Sequence, residues 1–413
     1  MISPSDMSPS RRWLLPAALA WSVVIMIAGI VAIGAQDALR PLYGLADPRV
    51  GPAGFGAFVA HAILCGSDTR RKWVLRIGLL LEAVRLLVVL QLGVPFDSAV
   101  LSTGYGFFAA ALGDFLIRRE WRRAALAALV PLGMTNAAFG LAGIVRRLTP
   151  LTYDGALYAL DSALRIPFSK SLGIAFADFP PLAALSLIAY ALLPGAIAAG
   201  LGYEQYNIER REARGVGVNL LLAYAVSGSI AALLYILCPA TGPSHVFREA
   251  FPRMLPDAST VTWNLSVFAP LSPRNAMPSL HFAWAVILWR SLKGGRSWLR
   301  KSAAAFAFLT ALATLGSGEH YVVDLIAAVP FLVALEAATA HRFVSGARRI
   351  APLATGILFY ALWIVLARNG TVFIPSLLEN PVVIRILALA TLIVPSAVAL
   401  RHSDVAKTIN AGE

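Results

Sequence analysis

"GSGEHYVVDLIAAVPFLVALEAATA", residues 316–340, decides the fold. A glycine-rich turn gives way to an apolar run, 321–340, whose only charged residues are Asp324 and Glu336. About 20 helical residues cross the hydrocarbon core of a bilayer. In lipid the backbone must satisfy its own polar groups, so such a run must be helical, and the dyad alternation of a membrane barrel strand is missing. Similar runs at 13–34, 49–65, 74–92, 99–117, 124–145, 181–202, 217–238, 279–293, 302–318, 351–368 and 382–400 extend this reading. The expected fold is all-α, a polytopic transmembrane helical bundle of about 12 spans. The least regular run is 49–65, which is short and holds Gly51, Gly54, Gly56 and His61.

Composition agrees. Hydrophobic residues make up 58% of the chain and charged residues 14%, against about 45–50% and about 25% in soluble domains. The first run begins at Trp13, after Arg11 and Arg12. It is too long for a signal-peptide core and lacks a small-residue cleavage site, so it is read as a retained helix. Cys65 and Cys238 both fall in apolar segments and give neither a disulfide framework nor a metal spacing. No metal-ligand cluster is present, and neither metal nor other cofactor is expected. The net charge of +13 resides in short loops between apolar runs, which points to membrane topology and away from nucleic acid.

With the N-terminus in the cytoplasm, the inner loops are "SDTRRK", "IRREWRR", "EQYNIERREARG", "KGGRSWLRK" and "HRFVSGARR", all rich in Arg and Lys. The outer loops "QLGVPFD" and "NGTVFIPSLLENP" have almost no positive charge. The positive-inside rule therefore puts both termini in the cytoplasm. Residues 146–180 would be an outer loop carrying Arg146, Arg147, Arg165 and Lys170, with "YDGALYALDSALRIP" as an amphipathic segment on the outer leaflet. The Pro-rich region 239–278 and the turn "GSGEHY" would open to the same, non-cytoplasmic face.

Chemistry concentrates there. His320 and Asp324 are spaced i, i+4, which places them on one helix face with the carboxylate about 6 Å deeper. A carboxylate so placed can accept the proton of one imidazole nitrogen and leave the other as an oriented base or nucleophile. "NAMPSLHFAW", residues 275–284, brings His281 to the outer end of its span. Two histidines and a carboxylate thus converge at one depth, and ionisable groups at membrane depth are functional candidates. Elsewhere, Glu82 with Arg85, Asp114 near a basic loop, and Glu336 near His341 and Arg342 are read as structural pairs. A proton-coupled transporter would use such residues as an ion path across the bilayer.

"MPSLHFAW" together with "GEHYVVDLIAA" resembles the type 2 phosphatidic acid phosphatase superfamily of membrane lipid phosphatases and phosphotransferases. Within it the resemblance is to the branch typified by inositol phosphorylceramide synthase, with a P-S-x-H box, an H-Y-x-x-D box and "YILCPATGP" (235–243) like its pre-loop segment. The resemblance covers roughly 150–341. It implies a phosphohistidine at His320, oriented by Asp324. It also implies that His281 acts as general acid and then base, and that Ser279 holds a phosphate oxygen. Two departures matter. The basic K-x6-R-P box of the phosphatase branch is missing, and Thr314 stands where that branch has an Arg six residues before the second His. A phosphomonoester carries about −1.5 to −2 at neutral pH and calls for several cations. Losing two basic elements therefore favours a phosphodiester. Arg248, Arg253 and Arg274 are candidates to replace the missing cations, which keeps a phosphatase open, and Tyr321 joins Ser279, Arg248 and Arg274 as candidate substrate contacts.

The expected organisation is a five-span N-terminal region (1–145), a catalytic region (146–345), and two C-terminal spans with a cytoplasmic tail (346–413). The expected function is transfer of a phospho-headgroup from a phospholipid donor to a lipid or polyol hydroxyl, in an inner or plasma membrane. A lipid phosphatase or pyrophosphatase using water and a proton-coupled transporter are the alternatives.

Overall fold

The computed structural model describes residues 51–135, 145, 148–165, 167–210, 219–261, 265–266, 274–292, 296–339 and 346–410, with Ala20 and Val24. The first group of helices is α1 (Gly51–Leu64), α2 (Asp68–Gln91), α3 (Phe96–Leu101), α4 (Tyr105–Ile117) and α5 (Trp121–Thr135). A two-residue strand β1 (Leu151–Thr152) then leads to α6 (Asp154–Leu164), α7 (Phe168–Asp178), α8 (Pro180–Glu209), α9 (Leu220–Leu237) and the single turn α10 (Pro243–Phe247). Strand β2 (Leu265–Ser266) pairs antiparallel with β1. The chain continues through α11 (Leu280–Ser291), α12 (Ser297–Gly316), α13 (Val322–Thr339), α14 (Gly346–Arg368), α15 (Gly370–Glu379) and α16 (Pro381–Asn410).

The architecture is all-α apart from that two-stranded pairing, but the described residues do not support a count of about twelve spans. Among the described residues six helical segments are long and apolar enough to cross a membrane: Phe96–Ile117, Pro180–Glu209, Leu220–Leu237, Val322–Thr339, Arg349–Arg368 and Pro381–Arg401. The others fall short for identifiable reasons. Helix α1 has 14 residues and α11 has 12, about 21 and 18 Å of helix against about 30 Å of hydrocarbon. Helix α2 is long enough but carries Arg76, Glu82 and Arg85 along its length. Helix α12 is continuously apolar only after Lys301. The expected span 13–34 lies outside the described residues, apart from Ala20 and Val24, as does part of 124–145.

Two segments read as loops are helical. "GTVFIPSLLE" forms α15. The segment expected on the outer leaflet forms α6 and α7, and α6 is no surface helix: Ala156, Leu157, Ala159 and Leu160 are fully buried. It packs against α13, α14, α15 and α16. The apolar face that the sequence assigned to lipid is covered by protein.

Small residues bring the N-terminal group onto the rest. Helices α1 and α8 form the most extensive contact in the structure. A Cβ added at Gly56 would lie 2.3 Å from the Gly195 carbonyl oxygen, and one at Gly202 would lie 2.7 Å from the Ala60 Cα. Backbones meet directly there, as small residues permit in membrane helix pairs. The glycines that made 49–65 irregular as a span are its contact face.

The buried charges in this group are paired. Glu82 binds Arg85 and accepts from the Gly106 N–H at 2.8 Å, while Arg85 also donates to the Ser102 hydroxyl (3.0 Å) and the Ala99 carbonyl (2.8 Å). Asp114 contacts Arg70 and lies 2.7 Å from His61 Nε2. Arg70 reaches Glu120, and Arg123 bridges Glu120 to Glu209 at the end of α8. Glu336 lies 2.6 Å from Arg290, which ties the far ends of α11 and α13 together. The sequence had assigned Glu336 to His341 and Arg342, which fall outside the described residues.

Candidate active site

The site forms where three chain segments end: the N-terminus of α11, the turn between α12 and α13, and the 239–245 segment after α9. Ser279 is the N-cap of α11, its hydroxyl accepting from the Phe282 N–H at 3.4 Å. This is the ordinary reason for a serine before a helix, and it sets His281 in the first turn.

Helix α13 begins at Val322, so His320 and Tyr321 precede it. The i, i+4 relation therefore does not come from a common helix face. Asp324 sits in the first turn and folds back, its Oδ2 accepting from the Tyr321 N–H at 2.8 Å, as the third residue of a capping box does. The same oxygen lies 3.4 Å from His320 Nδ1. The shorter contact of that nitrogen is the Ala276 carbonyl oxygen at 2.8 Å. The primary acceptor for the ring proton is thus a backbone carbonyl, with the carboxylate second. A carbonyl can only accept, so Nδ1 carries the proton and Nε2 presents its lone pair. Ser279 Oγ lies 3.3 Å from Nε2 and donates to it.

The His281 and His320 rings are 6.5 Å apart in an edge-on arrangement. His320 is 3% exposed, and His281 is only half-buried. Tyr190 of α8 stacks on the His281 ring at 4.2 Å and 22°, its hydroxyl 3.2 Å from Nδ1. Trp284, one turn on, is fixed by its indole N–H donating to Ser227 Oγ of α9 at 2.8 Å. His281 is therefore held between α8 and its own helix.

Helix α6 supplies two anchors. Asp161 accepts from the Val322 and Val323 N–H groups at 2.8 and 2.9 Å and caps α13 from another element. Asp154, fully buried, accepts from the backbone N–H of Thr241 and Gly242, both at 2.9 Å, and from the Tyr321 hydroxyl at 3.1 Å. Burial pushes its carboxyl above the usual value, opposed by these hydrogen bonds. The two carboxylates are seven residues apart, two turns on one face. "YDGALYALD" contained that signal, but as a surface segment it had no partner to cap.

The 239–245 segment docks on the turn. Gly242 has φ +96°, a conformation that costs a residue with a Cβ. A Cβ there would also lie 2.3 Å from the Glu319 carbonyl oxygen. Ser244 donates to the Gly318 carbonyl through both its N–H and its hydroxyl, each at 2.9 Å. His245 Nε2 then meets Glu319 Oε2 at 3.3 Å.

Of the residues picked from sequence, His281, His320, Asp324 and Ser279 come together. Tyr321 is 1% exposed with its hydroxyl on Asp154, so it braces the loop. Arg274 is buried two residues before Ala276, Arg248 is exposed at φ +47°, and Arg253 pairs with Asp178. Thr314 is buried, its hydroxyl on the Ala311 carbonyl and its own carbonyl on the His320 N–H at 3.1 Å. Tyr190, His245, Glu319, Asp154 and Asp161 were not anticipated.

Two histidines, one with a fixed tautomer and a buried carboxylate behind it, are suited to nucleophilic attack and proton transfer at one centre. Residues 155–338 match the family model of the PAP2 superfamily. The matched segment begins at the second residue of α6, stops one residue short of the end of α13, and contains Asp161, Tyr190, His245, Ser279, His281, Glu319, His320 and Asp324, with Asp154 just before it. PAP2 proteins are phosphoric ester hydrolases or transferases, and this arrangement fits that class. The match supports the superfamily without distinguishing the inositol phosphorylceramide synthase branch. Comparisons with curated proteins and with solved structures find no match.

Proposed function

We propose that the protein is a membrane phosphotransferase that moves a phospho-headgroup from a phospholipid to a hydroxyl acceptor. His320 Nε2 attacks phosphorus and forms a P–N bond as the P–O bond to the lipid breaks. His281 gives its proton to the leaving alkoxide. It then takes a proton from the acceptor hydroxyl, whose oxygen displaces His320 from phosphorus. Asp324 stabilises the positive charge that develops on the His320 ring, and Ser279 holds a non-bridging oxygen. The active site lies on the non-cytoplasmic face of an inner or plasma membrane.

The observation that carries this reading is the state of His320. Its proton is committed to the Ala276 carbonyl at 2.8 Å, which leaves a lone pair beside Ser279. A transfer reaction is favoured over monoester hydrolysis by Thr314, a neutral side chain at the position where the phosphatase branch has an arginine. The test is product identification. Purified protein is incubated with a panel of labelled phospholipids, with and without lipid and polyol alcohols, and products are identified by mass spectrometry. Alcohol-dependent appearance of a new phosphodiester supports transfer. Release of headgroup phosphate unaffected by alcohols means hydrolysis, and no turnover of any phospholipid rejects the reading.

A further inference from the structure

A carboxylate stands one residue from the nucleophile in a site whose substrate is an anion. Glu319 is about a third exposed and bonded to His245, also about a third exposed. Its charge is felt by His245, His320 and His281, and His245 also senses Asp154. Neither residue belongs to the phosphoryl-transfer set described above. The contact is not an accident of two mobile surface side chains. The chain at 242–245 is fastened to 318–319 by two hydrogen bonds from Ser244 to the Gly318 carbonyl. At Gly242 the approach is too close for a Cβ.

We propose that the His245–Glu319 pair is a charge filter at the mouth of the site, admitting a singly charged phosphodiester and disfavouring a doubly charged phosphomonoester. This rests on the phosphoryl-transfer reading and names residues that would set its preference for a diester. Glu319 repels any phosphate, and His245 offsets that repulsion when protonated. The hydrogen bond that His245 donates to Glu319 raises the tendency of His245 to hold its proton, against partial burial. Burial is the largest influence on Glu319 and works against its charge, but the bond to His245 and the charges of His245, His320 and His281 together hold the carboxyl below its usual range. The pair is then close to neutral overall with its negative end beside the nucleophile. A diester meets this with one charge and a monoester with nearly two. At a separation on the order of 7 Å in a half-aqueous boundary, each extra unit of charge is worth roughly a factor of ten.

The test uses the full-length protein in lipid vesicles with two substrates, a phosphodiester phospholipid and phosphatidic acid, and the variants Glu319→Gln, His245→Ala and the double variant. In Glu319→Gln the ratio of monoester to diester kcat/KM should rise about tenfold over wild type. In His245→Ala the bare carboxylate should raise KM for the diester about tenfold with a smaller effect on kcat, and adding Glu319→Gln should reverse that rise. A purely structural role for the contact predicts otherwise, because either single change breaks the same hydrogen bond. Equal losses in the two single variants with no recovery in the double variant would overturn the filter. An unchanged substrate ratio in Glu319→Gln would also overturn it while leaving phosphoryl transfer intact. If wild type turns over neither substrate, the phosphoryl-transfer reading falls and the filter falls with it.

Discussion

Replacing Asp324 with Asn separates the two groups that hold His320. In a triad whose histidine depends on a carboxylate for its tautomer, the same change costs about four orders of magnitude in rate. Here the tautomer has a second guardian, because the Ala276 carbonyl is 2.8 Å from Nδ1 while Asp324 is 3.4 Å away. An Asn side chain can still accept the Tyr321 N–H, so the start of α13 should persist. What disappears is the negative charge facing the ring as it becomes cationic. At that separation and an effective dielectric near 20 the gross attraction is about 5 kcal/mol. Partial compensation by surrounding dipoles leaves about 3–4 kcal/mol, or roughly 100- to 1,000-fold in the rate of phosphohistidine formation. The assay is a single-turnover quench at alkaline pH with phosphorus-labelled phospholipid, following label on the protein, with His320→Ala as the unlabelled control. Phosphorylation at the wild-type rate would show that the carboxylate contributes nothing to the attack. A loss as deep as that of His320→Ala would show that the Ala276 carbonyl does not hold the tautomer.

Four further outcomes are expected. His281→Ala should slow turnover by about 100-fold or more with an unchanged melting temperature, and near-normal turnover would remove it from the mechanism. Tyr190→Phe keeps the ring stacked on His281 and should lose less than about fivefold in kcat, whereas Tyr190→Leu removes the aromatic face and should lose about tenfold. Equal losses in those two variants would assign the effect to the hydroxyl. Asp161→Ala strips the cap from α13 and should lower stability in a denaturant titration by about 1–2 kcal/mol, an effect that no change at the solvent-exposed Asp97 should reproduce. For sidedness, Cys at Met254 (72% exposed) should react with an impermeant thiol reagent in intact cells, and Cys at Trp298 (60% exposed) only after permeabilisation. The reverse pattern would move the site to the cytoplasmic face.

Much of this was legible in the sequence because it is local. Apolar runs with polar breaks give helices wherever lipid or core excludes water. The boxes around His281 and His320 lie at helix ends, so they meet once α11 packs on both α12 and α13. Tertiary capping was not legible. Asp154 and Asp161 share a helix face in the sequence, but their partners are backbone groups at 241–242 and 322–323, and side-chain spacing cannot reveal those. Tyr190 belongs to the same class, as one of three tyrosines on a helix whose contact with α11 only the fold reveals. The span count lacks support among the described residues for a different reason. Hydropathy marks segments that avoid water, and helices such as α1 and α11 avoid it by burial in protein without the length to cross a bilayer.

The helices outside the matched segment back the two helices that orient the histidines. Helix α1 packs along α8, which carries Tyr190, and α14 and α16 pack along α13, which carries Asp324. The α13 contact shows how. Pro330 interrupts α13, and a proline inside a helix removes one backbone hydrogen bond and tends to kink it. Gly356 of α14 lies against that point, where a Cβ would come within 2.5 Å of the Pro330 carbonyl oxygen. The weakest turn of α13 is therefore clamped by a backbone contact with α14. If His320 is the nucleophile proposed above, its supporting groups must be held to a fraction of an ångström, and a loose turn six residues beyond Asp324 would defeat that. On the proposed mechanism, α14 would bear on the chemistry by holding the helix that carries Asp324.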